Sequence, residues 1–426
     1  MLPMNGSSLG SVIISIIAAS VAQAQQPAAI QTQSDDYTRY ELLAPGSAKF
    51  RILYEVTATT PGARQFFNPI RKGSVASDEH VYDRYSGAVL PFDEIGGDVA
   101  RAGGVRGADS TERYIRIRLA RPVPTDGEAR VLIEKTYYDP KSYYDENGLI
   151  VFARPLGIRR NAIVLTAGYE LESCNVPSQV IEEADGRISI SFWNSLPAQA
   201  PLVVKARPLS NASPASTTRA IHFPSAGASP EAKTVRLPLG ERAHQDREIV
   251  YFLQQPETHA FDLYHDYTES RTGTDKYLNV VRTGSMVSHP SARLLDTGEE
   301  LKWEIVTGDA IRRAGLDVRD VTPQTQVVVF HFAAVKPNGS VRLRMYETYT
   351  DSARYRLDGD MLVWGRSFGR PANAVVLPAG WYVTNSTIPG TINETADGRV
   401  RLDFVNPRPD DIDVFVTARR RRRAGQ

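Results

Sequence analysis

The sequence lacks most of the residue types on which disulfide-bonded and metal-binding proteins depend. Its 426 residues include one cysteine, Cys174, and only seven histidines. A lone cysteine excludes an intrachain disulfide, so stability must come from the size of the hydrophobic cores. The 50 basic and 49 acidic residues leave a formal net charge of +1, which gives no attraction to nucleic acid. We therefore expect neither a disulfide framework nor a nucleic-acid partner.

Long apolar runs are also scarce. Residues 12–21 form one short run, VIISIIAASV, and the small residues Ala-Gln-Ala follow it. This pattern is typical of a secretory signal peptide, and the run is too short to span a bilayer stably. We predict a signal peptide over residues 1–24, a periplasmic or secreted location, and no transmembrane segment. The alternative, a buried N-terminal helix, is disfavoured because polar residues 25–36 separate the run from the first predicted strand.

Recognisable catalytic motifs are missing as well. The sequence contains no His-Glu-x-x-His, no Gly-x-Ser-x-Gly and no glycine-rich loop that would hold a phosphate at the start of a helix. The closest pair of histidines, His259 and His265, would lie roughly 20 Å apart along an extended strand, too far to share a metal. Cys174 has no identifiable basic partner that would activate it. We predict a non-catalytic protein with no metal and no cofactor.

What the sequence does contain is an internal repeat. The segment that begins at Phe50 matches the segment that begins at Phe261, which lies 211 residues later, and the match runs without a gap for more than twenty residues. After a one-residue insertion the offset becomes 212, at which Gly186 matches Gly398. Two copies of one domain explain this register, and we place them at residues 37–207 and 247–419.

Two segments outside the copies differ from them in composition. Residues 208–233 are rich in proline, alanine and serine and are predicted to be a linker. The chain ends in a basic tail, residues 420–426, which continues a run of five arginines. Arginines at a chain end can contact an anionic partner, and we mark Arg419, Arg420 and Arg421 as candidates. A solvated, frayed end is the alternative.

Within each copy the apolar residues alternate with polar ones. In the segment 50–56, FRILYEV, every second residue is large and apolar, which is the pattern of a half-buried strand. Asp-Gly and Asn-Gly pairs, such as those at Gly186 and Gly398, lie between such segments and are typical of hairpin turns. We predict an all-β protein of two tandem, homologous antiparallel β-sandwich domains joined by the linker.

A resemblance to a known family follows from these segments. The strand of residues 50–56, the turn Tyr85-Ser86-Gly87 and the runs RYIRIRL (113–119) and VLIEKTY (131–137) resemble the N-terminal β-sandwich domain of M1-type zinc aminopeptidases. The second copy is similar over most of its length. The resemblance implies a β-sandwich in each copy, without the catalytic domain of that family.

One aromatic cluster is a candidate for partner binding. Tyr137, Tyr138, Tyr143 and Tyr144 flank the predicted turn at residues 139–142. Exposed aromatic rings can stack on sugars or anchor a protein partner. The alternative is that the rings pack across strands, where aromatic residues are favoured in any case. Because adjacent residues of a strand face opposite ways, we expect one ring of each adjacent pair to be exposed.

These observations favour an exported binding or scaffold protein that recognises a protein or glycan partner in the cell envelope. The missing catalytic motifs and the tandem arrangement are the grounds for this prediction. The alternative is a hydrolase whose site forms between the two copies, from residues that meet only in the folded chain.

Overall fold

A computed structural model describes residues 29–195, 198–209 and 240–421. The predicted signal peptide, most of the predicted linker and the last five residues of the predicted basic tail lie outside the described residues. No helix within the described ranges is long and apolar enough to cross a membrane.

The first copy, called repeat 1, is made of short strands and one helix. The strands are β1 (Gln33–Leu42), β2 (Lys49–Ala58), β3 (Gln65–Ile70), β4 (Val75–Asp83), β5 (Phe92–Gly96), β6 (Arg113–Arg118), β7 (Ala129–Tyr138), β8 (Tyr143–Glu146), β9 (Leu149–Leu156), β10 (Arg160–Val164), β11 (Tyr169–Cys174), β12 (Gln179–Glu182), β13 (Ile188–Trp193) and β14 (Ala200–Pro208). The helix α1 (Gly97–Ala102) follows β5.

The second copy, called repeat 2, has the same order of elements with one additional short strand, β19 (Glu299–Glu300), and a 3₁₀ turn. Its strands are β15 (Arg247–Leu253), β16 (Ala260–Glu269), β17 (Lys276–Val280), β18 (Met286–Leu294), β19 (Glu299–Glu300), β20 (Lys302–Thr307), β21 (Gln326–His331), β22 (Val341–Thr350), β23 (Tyr355–Asp358), β24 (Met361–Phe368), β25 (Ala372–Val376), β26 (Trp381–Ser386), β27 (Thr391–Glu394), β28 (Val400–Val405) and β29 (Ile412–Arg420). A 3₁₀ turn, Pro256–Thr258, precedes β16, and the helix α2 (Asp309–Arg313) follows β20.

Most equivalent strands begin and end at matching residues. Phe50 is the second residue of β2 and Phe261 the second residue of β16. Gly186 and Gly398 both have positive φ, 79° and 78°, in the hairpins β12–β13 and β27–β28. Glycine adopts this conformation without steric cost, which explains the Asp-Gly pairs in the sequence. The predicted all-β fold with two homologous sandwiches is confirmed.

Each repeat contains three sheets. In repeat 1 the strand orders are β12-β13-β10-β1-β2-β7-β4, β11-β14-β9-β8 and β3-β6-β5. In repeat 2 they are β19-β18-β22-β16-β15-β25-β28-β27, β23-β24-β29-β26 and β17-β21-β20. One strand pair in each large sheet is parallel, β1 with β10 and β15 with β25. No pattern in the sequence indicated these two parallel pairs, because a parallel pair needs a long crossover that leaves no local turn signal.

The core of each sandwich lies between the large sheet and the two smaller ones. Alternate residues of β7 are buried, among them Val131, Ile133 and Tyr137, and the same positions of β22 are buried too. Aromatic rings fill much of the space. Phe50 and Phe152 meet edge to face at 5.3 Å in repeat 1, and Tyr251 and Phe368 stack at 5.6 Å in repeat 2.

The two repeats contact each other through equivalent segments. The backbone N–H of Glu128 donates to the carbonyl oxygen of Leu295 (2.9 Å), and the N–H of Ser340 donates to that of Arg84 (2.9 Å). Glu128 and Ser340 are matching residues of the repeats, as are Arg84 and Leu295. The exchange of equivalent contacts is that of a two-fold dimer, here formed within one chain.

Candidate functional site

Each sandwich contains a cavity where its three sheets meet. In repeat 1 a cavity of about 570 Å³, called cavity A, is lined by residues of β1, β2, β3, β7 and β9. In repeat 2 a smaller cavity of about 120 Å³, called cavity B, is lined by the equivalent strands. The matching residues of the two cavities are, in pairs, Tyr40 and Tyr251, Asn68 and Asn279, Arg71 and Arg282, Lys135 and Glu347, Tyr137 and Tyr349, and Arg154 and Arg366.

The charge at one matching position is reversed. Lys135 of β7 and Glu347 of β22 both belong to the row of inward-facing residues, and they are only 4% and 3% exposed. All other residues of that row in the two strands are uncharged. A buried charge is costly unless it is paired, so its presence in a core row makes this position a candidate functional site.

In cavity A the ammonium group of Lys135 has few partners. Its Nζ donates one hydrogen bond, to Asn68 Oδ1 at 2.7 Å, and lies 5.1 Å from the ring centre of Tyr137. Burial lowers the pKa of Lys135 to about 8, because surroundings of low polarity disfavour the charged form. An acidic group that entered the cavity would therefore favour the protonated form of Lys135.

Arg154 forms the second cationic group of cavity A. Its guanidinium donates to Asp139 Oδ2 at 3.1 Å and lies within 6 Å of three ring centres, those of Tyr40, Phe50 and Tyr137. This arginine is held rigidly by an ion pair and by the aromatic faces. Arg71, at the exposed rim of the cavity, adds a third positive charge.

In cavity B the acidic group of Glu347 is only half satisfied. Its Oε2 accepts a hydrogen bond from Asn279 Nδ2 at 2.6 Å, while Oε1 is buried without a partner. Burial raises the pKa of Glu347 to about 7, although the interactions with Asn279 and Tyr349 and the charge of Arg366 oppose the shift. Burial also lowers the pKa of the neighbouring His265 well below its ordinary value, so this ring is neutral.

A third cavity, called the interface cavity, lies between the repeats and has a volume of about 440 Å³. Glu55 faces His244 at 3.8 Å, and Asp36 and Asp246 both approach Arg342, at 3.9 and 3.2 Å. Burial raises the pKa of Glu55, but the contact with His244 and the charge of Arg84 have the larger and opposite effect, so that the pKa is lowered to about 2. Burial raises the pKa of Asp36, and the nearby Asp246 carboxylate adds to this effect.

The structure separates the four tyrosines that the sequence marked as one cluster. Tyr137 and Tyr143 are core residues, 2% and 1% exposed. Tyr137 lines cavity A, and neither ring lies on the outer surface of the domain. Tyr138 is 45% exposed and Tyr144 is half-buried. They belong to β7 and β8, which lie in different sheets, so the four rings do not form a single exposed surface.

The arginines at the start of the predicted tail are more ordered than a frayed end. The last strand, β29, extends through Arg420. Arg419 pairs with Asp360, and Arg420 pairs with Glu257 and lies 5.0 Å from the ring centre of Trp381. The backbone N–H of Arg421 donates to Gly380. Whether these arginines contact a partner stays a prediction.

The remaining candidate residues have structural surroundings. His259 precedes β16 and contacts the carbonyl oxygen of Tyr355 at 2.9 Å, whereas His265 lies buried in the sheet. Cys174 ends β11 and contacts the carbonyl oxygen of Val176 at 3.5 Å. Among the described residues no cluster of three histidine, cysteine, aspartate or glutamate side chains has the geometry of a metal site.

The sequence analysis overlooked both cavities and their charged residues. Lys135 and Glu347 carried a local signal, because each interrupts an alternating apolar row with a charge. The other members of each cavity come from strands far apart in the sequence and carry no such signal. Asn68, for example, is brought to Lys135 only by the packing of the small sheet β3-β6-β5.

No protein-family model matches this chain, and no curated protein matches it at a significant level. Solved structures do match. An M1 zinc metallopeptidase from Deinococcus radiodurans aligns with 41% of this chain at 11% identity and a TM-score of 0.28. An aminopeptidase N family protein from Idiomarina loihiensis aligns with 40% of it at 12% identity and a TM-score of 0.25.

Both structures belong to the family that the sequence of each repeat resembles. Each covers a share of the chain comparable to one repeat. The chain spans only 42% of the Deinococcus structure and 29% of the Idiomarina structure. Similarity at this level carries no conclusion about activity.

Proposed function

We propose that this chain is an exported, non-catalytic binding protein of the cell envelope, and that cavity A holds an acidic group of a glycan or protein partner. The observation that carries the proposal is the surroundings of Lys135. This buried lysine lines an open cavity together with Arg71 and Arg154, yet its only hydrogen bond in the described part of the chain is to Asn68.

A carboxylate in cavity A would give the buried ammonium a direct ion pair. Glu79 acts on Lys135 only through its more distant charge and forms no ion pair with it in the described structure. An opposite charge within hydrogen-bond reach favours the ionised form of a lysine and raises its pKa. Binding of the acidic group and protonation of Lys135 would therefore support each other. The hydroxyl groups of Tyr40 and Tyr54 also line the cavity and can hydrogen-bond the rest of a sugar or peptide.

The test uses the full mature chain and two probes that carry the same acidic group. Calorimetric titration with an oligogalacturonate and with a poly-glutamate peptide distinguishes a glycan from a protein source. We expect Lys135→Met to weaken binding of the preferred probe roughly tenfold, because one charge-assisted hydrogen bond is lost. The matched control is Lys205→Met, which removes a half-buried lysine of the same repeat that lies outside cavity A. Equal affinity of the two variants, or no binding of either probe, contradicts the proposal.

The export part of the proposal is supported by the apolar run at residues 12–21 and the small residues after it. N-terminal sequencing of protein released from the periplasm or medium should begin near Gln25. Intact chain in the cytoplasmic fraction, beginning at Met1, would contradict export.

A second candidate function is favoured by the interface cavity. A hydrolase between the repeats would need carboxylates and a base that face one space, and Asp36, Asp246, Glu55 and His244 line this cavity. Their existing ion pairs with Arg342 and with each other make a structural role the better explanation. Hydrolysis of a chromogenic ester, peptide or glycoside that Asp246→Asn abolishes would support the enzyme instead.

A further inference from the structure

We infer that cavity B of repeat 2 is a separate binding site for a small carboxylate, an organic acid anion with a few carbon atoms. The inference does not depend on the function proposed for cavity A. It rests on charged groups of repeat 2 that have lost the partners that their counterparts have in repeat 1.

Arg366 is the clearest case. Its counterpart Arg154 pairs with Asp139, and Asp139 corresponds to Asp351 in repeat 2. Asp351 is instead paired with Arg354 at 3.0 Å, at a position where repeat 1 has a serine. Arg366 keeps the aromatic contacts of its counterpart, 5.3 Å from the ring centres of both Tyr251 and Phe261, but it has no ion pair in the described structure, and its Nη1 is buried without a hydrogen bond.

Three more unsatisfied polar atoms belong to residues that line the same cavity. They are Glu347 Oε1, His265 Nε2 and Arg370 Nε. Buried polar groups in native proteins are nearly always hydrogen-bonded, so four unpartnered atoms around one cavity indicate that a bound molecule completes them. Arg370 occupies the position of Ile158 in cavity A, so repeat 2 has gained a charge here as well as lost a partner.

The hydrogen-bond donors around cavity B favour a small anion that carries a carboxylate. Two guanidinium donors, Arg366 Nη1 and Arg370 Nε, can each donate to one carboxylate oxygen. The acid form of Glu347 can donate a hydrogen bond to the same group, whereas its ionised form would repel it. A volume of about 120 Å³ holds several water-sized groups, which corresponds to a molecule of a few heavy atoms.

The charges around Glu347 favour the same class of ligand. Arg282, Arg366 and Arg370 contribute three positive charges to the lining, and Asp411 at the exposed rim contributes one negative charge. His265 on the adjacent strand β16 is neutral, and Asn279 and Tyr349 are uncharged. Because burial raises the pKa of Glu347 to about 7, acidification converts it to the donor form, so carboxylate binding should tighten as the pH falls from 8 to 6.

The experiment is calorimetric titration of the full mature chain with sodium acetate at pH 6 and pH 8 and constant ionic strength. We expect saturable binding that is stronger at pH 6. Arg366→Met should weaken it roughly tenfold or more, because a charge-assisted hydrogen bond is lost. Glu347→Gln keeps a neutral donor and should retain binding while losing the pH dependence. The matched control Arg356→Met removes an exposed arginine of the same repeat and should change nothing.

Thermal melts establish that the variants are folded. If Arg366→Met does not fold, Arg370→Met replaces it, since that residue is only half-buried. Binding of acetate by both arginine variants with unchanged affinity overturns the proposal, as does no binding of acetate, propionate or pyruvate. Equal competition by chloride or phosphate would show a general anion site and also overturn the carboxylate assignment.

Discussion

The two repeats keep the same framework around opposite charges. Cavity A has Lys135 where cavity B has Glu347. Lys135 donates a hydrogen bond to Asn68, and Glu347 accepts one from the matching residue, Asn279. The conserved parts are an arginine against aromatic rings and the asparagine on the small sheet. The variable parts are the central charge and the partners of the arginine. The two repeats thus present opposite charges to equivalent cavities on equivalent strands.

The interface between the repeats shows a second difference. Arg130 of β7 forms a two-pronged ion pair with Asp296, at 2.8 and 2.9 Å. Its counterpart Arg342 of β22 is surrounded by three carboxylates, those of Asp36, Glu128 and Asp246. Arg130 therefore pairs with a single carboxylate and also donates to Ser340, whereas Arg342 has three carboxylates around it.

Removal of Asp296, the carboxylate that pairs with Arg130, should lower the stability of the chain the most. Asp296 is fully buried, and Asp296→Ala leaves Arg130 as an uncompensated charge in the interior. We expect the free energy of unfolding to fall by about 3–5 kcal/mol. Denaturant unfolding of the mature chain measures it.

Two further variants sharpen this comparison. Glu128→Gln should cost much less than Asp296→Ala, because burial already raises the pKa of Glu128 to about 7, and Arg342 keeps two other carboxylates. The control Asp360→Ala removes an exposed ion pair with Arg419 and should change stability by less than about 1 kcal/mol. Equal losses for Asp296→Ala and Glu128→Gln would show that the two arginines do not differ.

The two cavities should give opposite dependences of stability on pH. The pKa of Lys135 is about 8 in the folded chain, below its ordinary value of 10.5, so between these values the unfolded chain binds more protons and stability rises with pH. The pKa of Glu347 is about 7, above its ordinary value of 4.5, so the folded chain binds more protons and stability falls as the pH rises from 4.5 to 7. Each effect is at most roughly 3 kcal/mol.

Neutral variants test these slopes one at a time. Lys135→Met should abolish the gain above pH 8 and leave the acidic region unchanged. Glu347→Gln should abolish the loss between pH 4.5 and 7 and leave the alkaline region unchanged. Midpoints of urea unfolding measured across this pH range provide the comparison with the parent chain. If stability changes with pH as steeply in a variant as in the parent, then folding does not shift the pKa of the replaced residue.

Substitution of the matching interface glycines, Gly127 and Gly339, by alanine should destabilise the chain to a similar extent. A Cβ atom at Gly127 would lie 2.4 Å from the carbonyl oxygen of Leu295, and one at Gly339 would lie 2.6 Å from that of Tyr85. Each contact is with backbone of the other repeat, so each change to alanine should cost about 1–3 kcal/mol. Gly240→Ala, which meets only a side chain at 3.5 Å, is the control. Thermal melts that leave Gly127→Ala and Gly339→Ala unchanged would mean that the repeats do not pack this closely.

Much of the fold could be predicted from the sequence, but few of the residues that line the two cavities could be. Alternation along β2 and glycine turns such as Gly186 and Gly398 report local structure, and the repeat relates the two halves. The parallel pairing of β1 with β10 depends on a distant crossover, so no local pattern reveals it. The same holds for Asn68 and Lys135, which are 67 residues apart and meet only across packed sheets.

The aromatic residues outside the cavities give the smallest expected effect on stability. Tyr138 and Tyr144 correspond to Thr350 and Arg356 in repeat 2, so only repeat 1 presents aromatic rings at these positions. Tyr138 is 45% exposed and Tyr144 half-buried, and little of their area is lost to the core on truncation. The double variant Tyr138→Thr and Tyr144→Arg gives repeat 1 the residues of repeat 2.

We expect this double variant to keep its free energy of unfolding within about 0.5 kcal/mol per site of the parent, because neither side chain fills the core. By contrast, Tyr137→Ala should cost about 3–5 kcal/mol, since it empties a large core position. If the exposed rings help to hold a partner, the double variant should retain less of it in a pull-down from envelope extract, while Tyr138→Phe retains as much as the parent. A double variant that melts far below the parent would assign both tyrosines to the core and leave cavity A as the only candidate contact of repeat 1 within the described ranges.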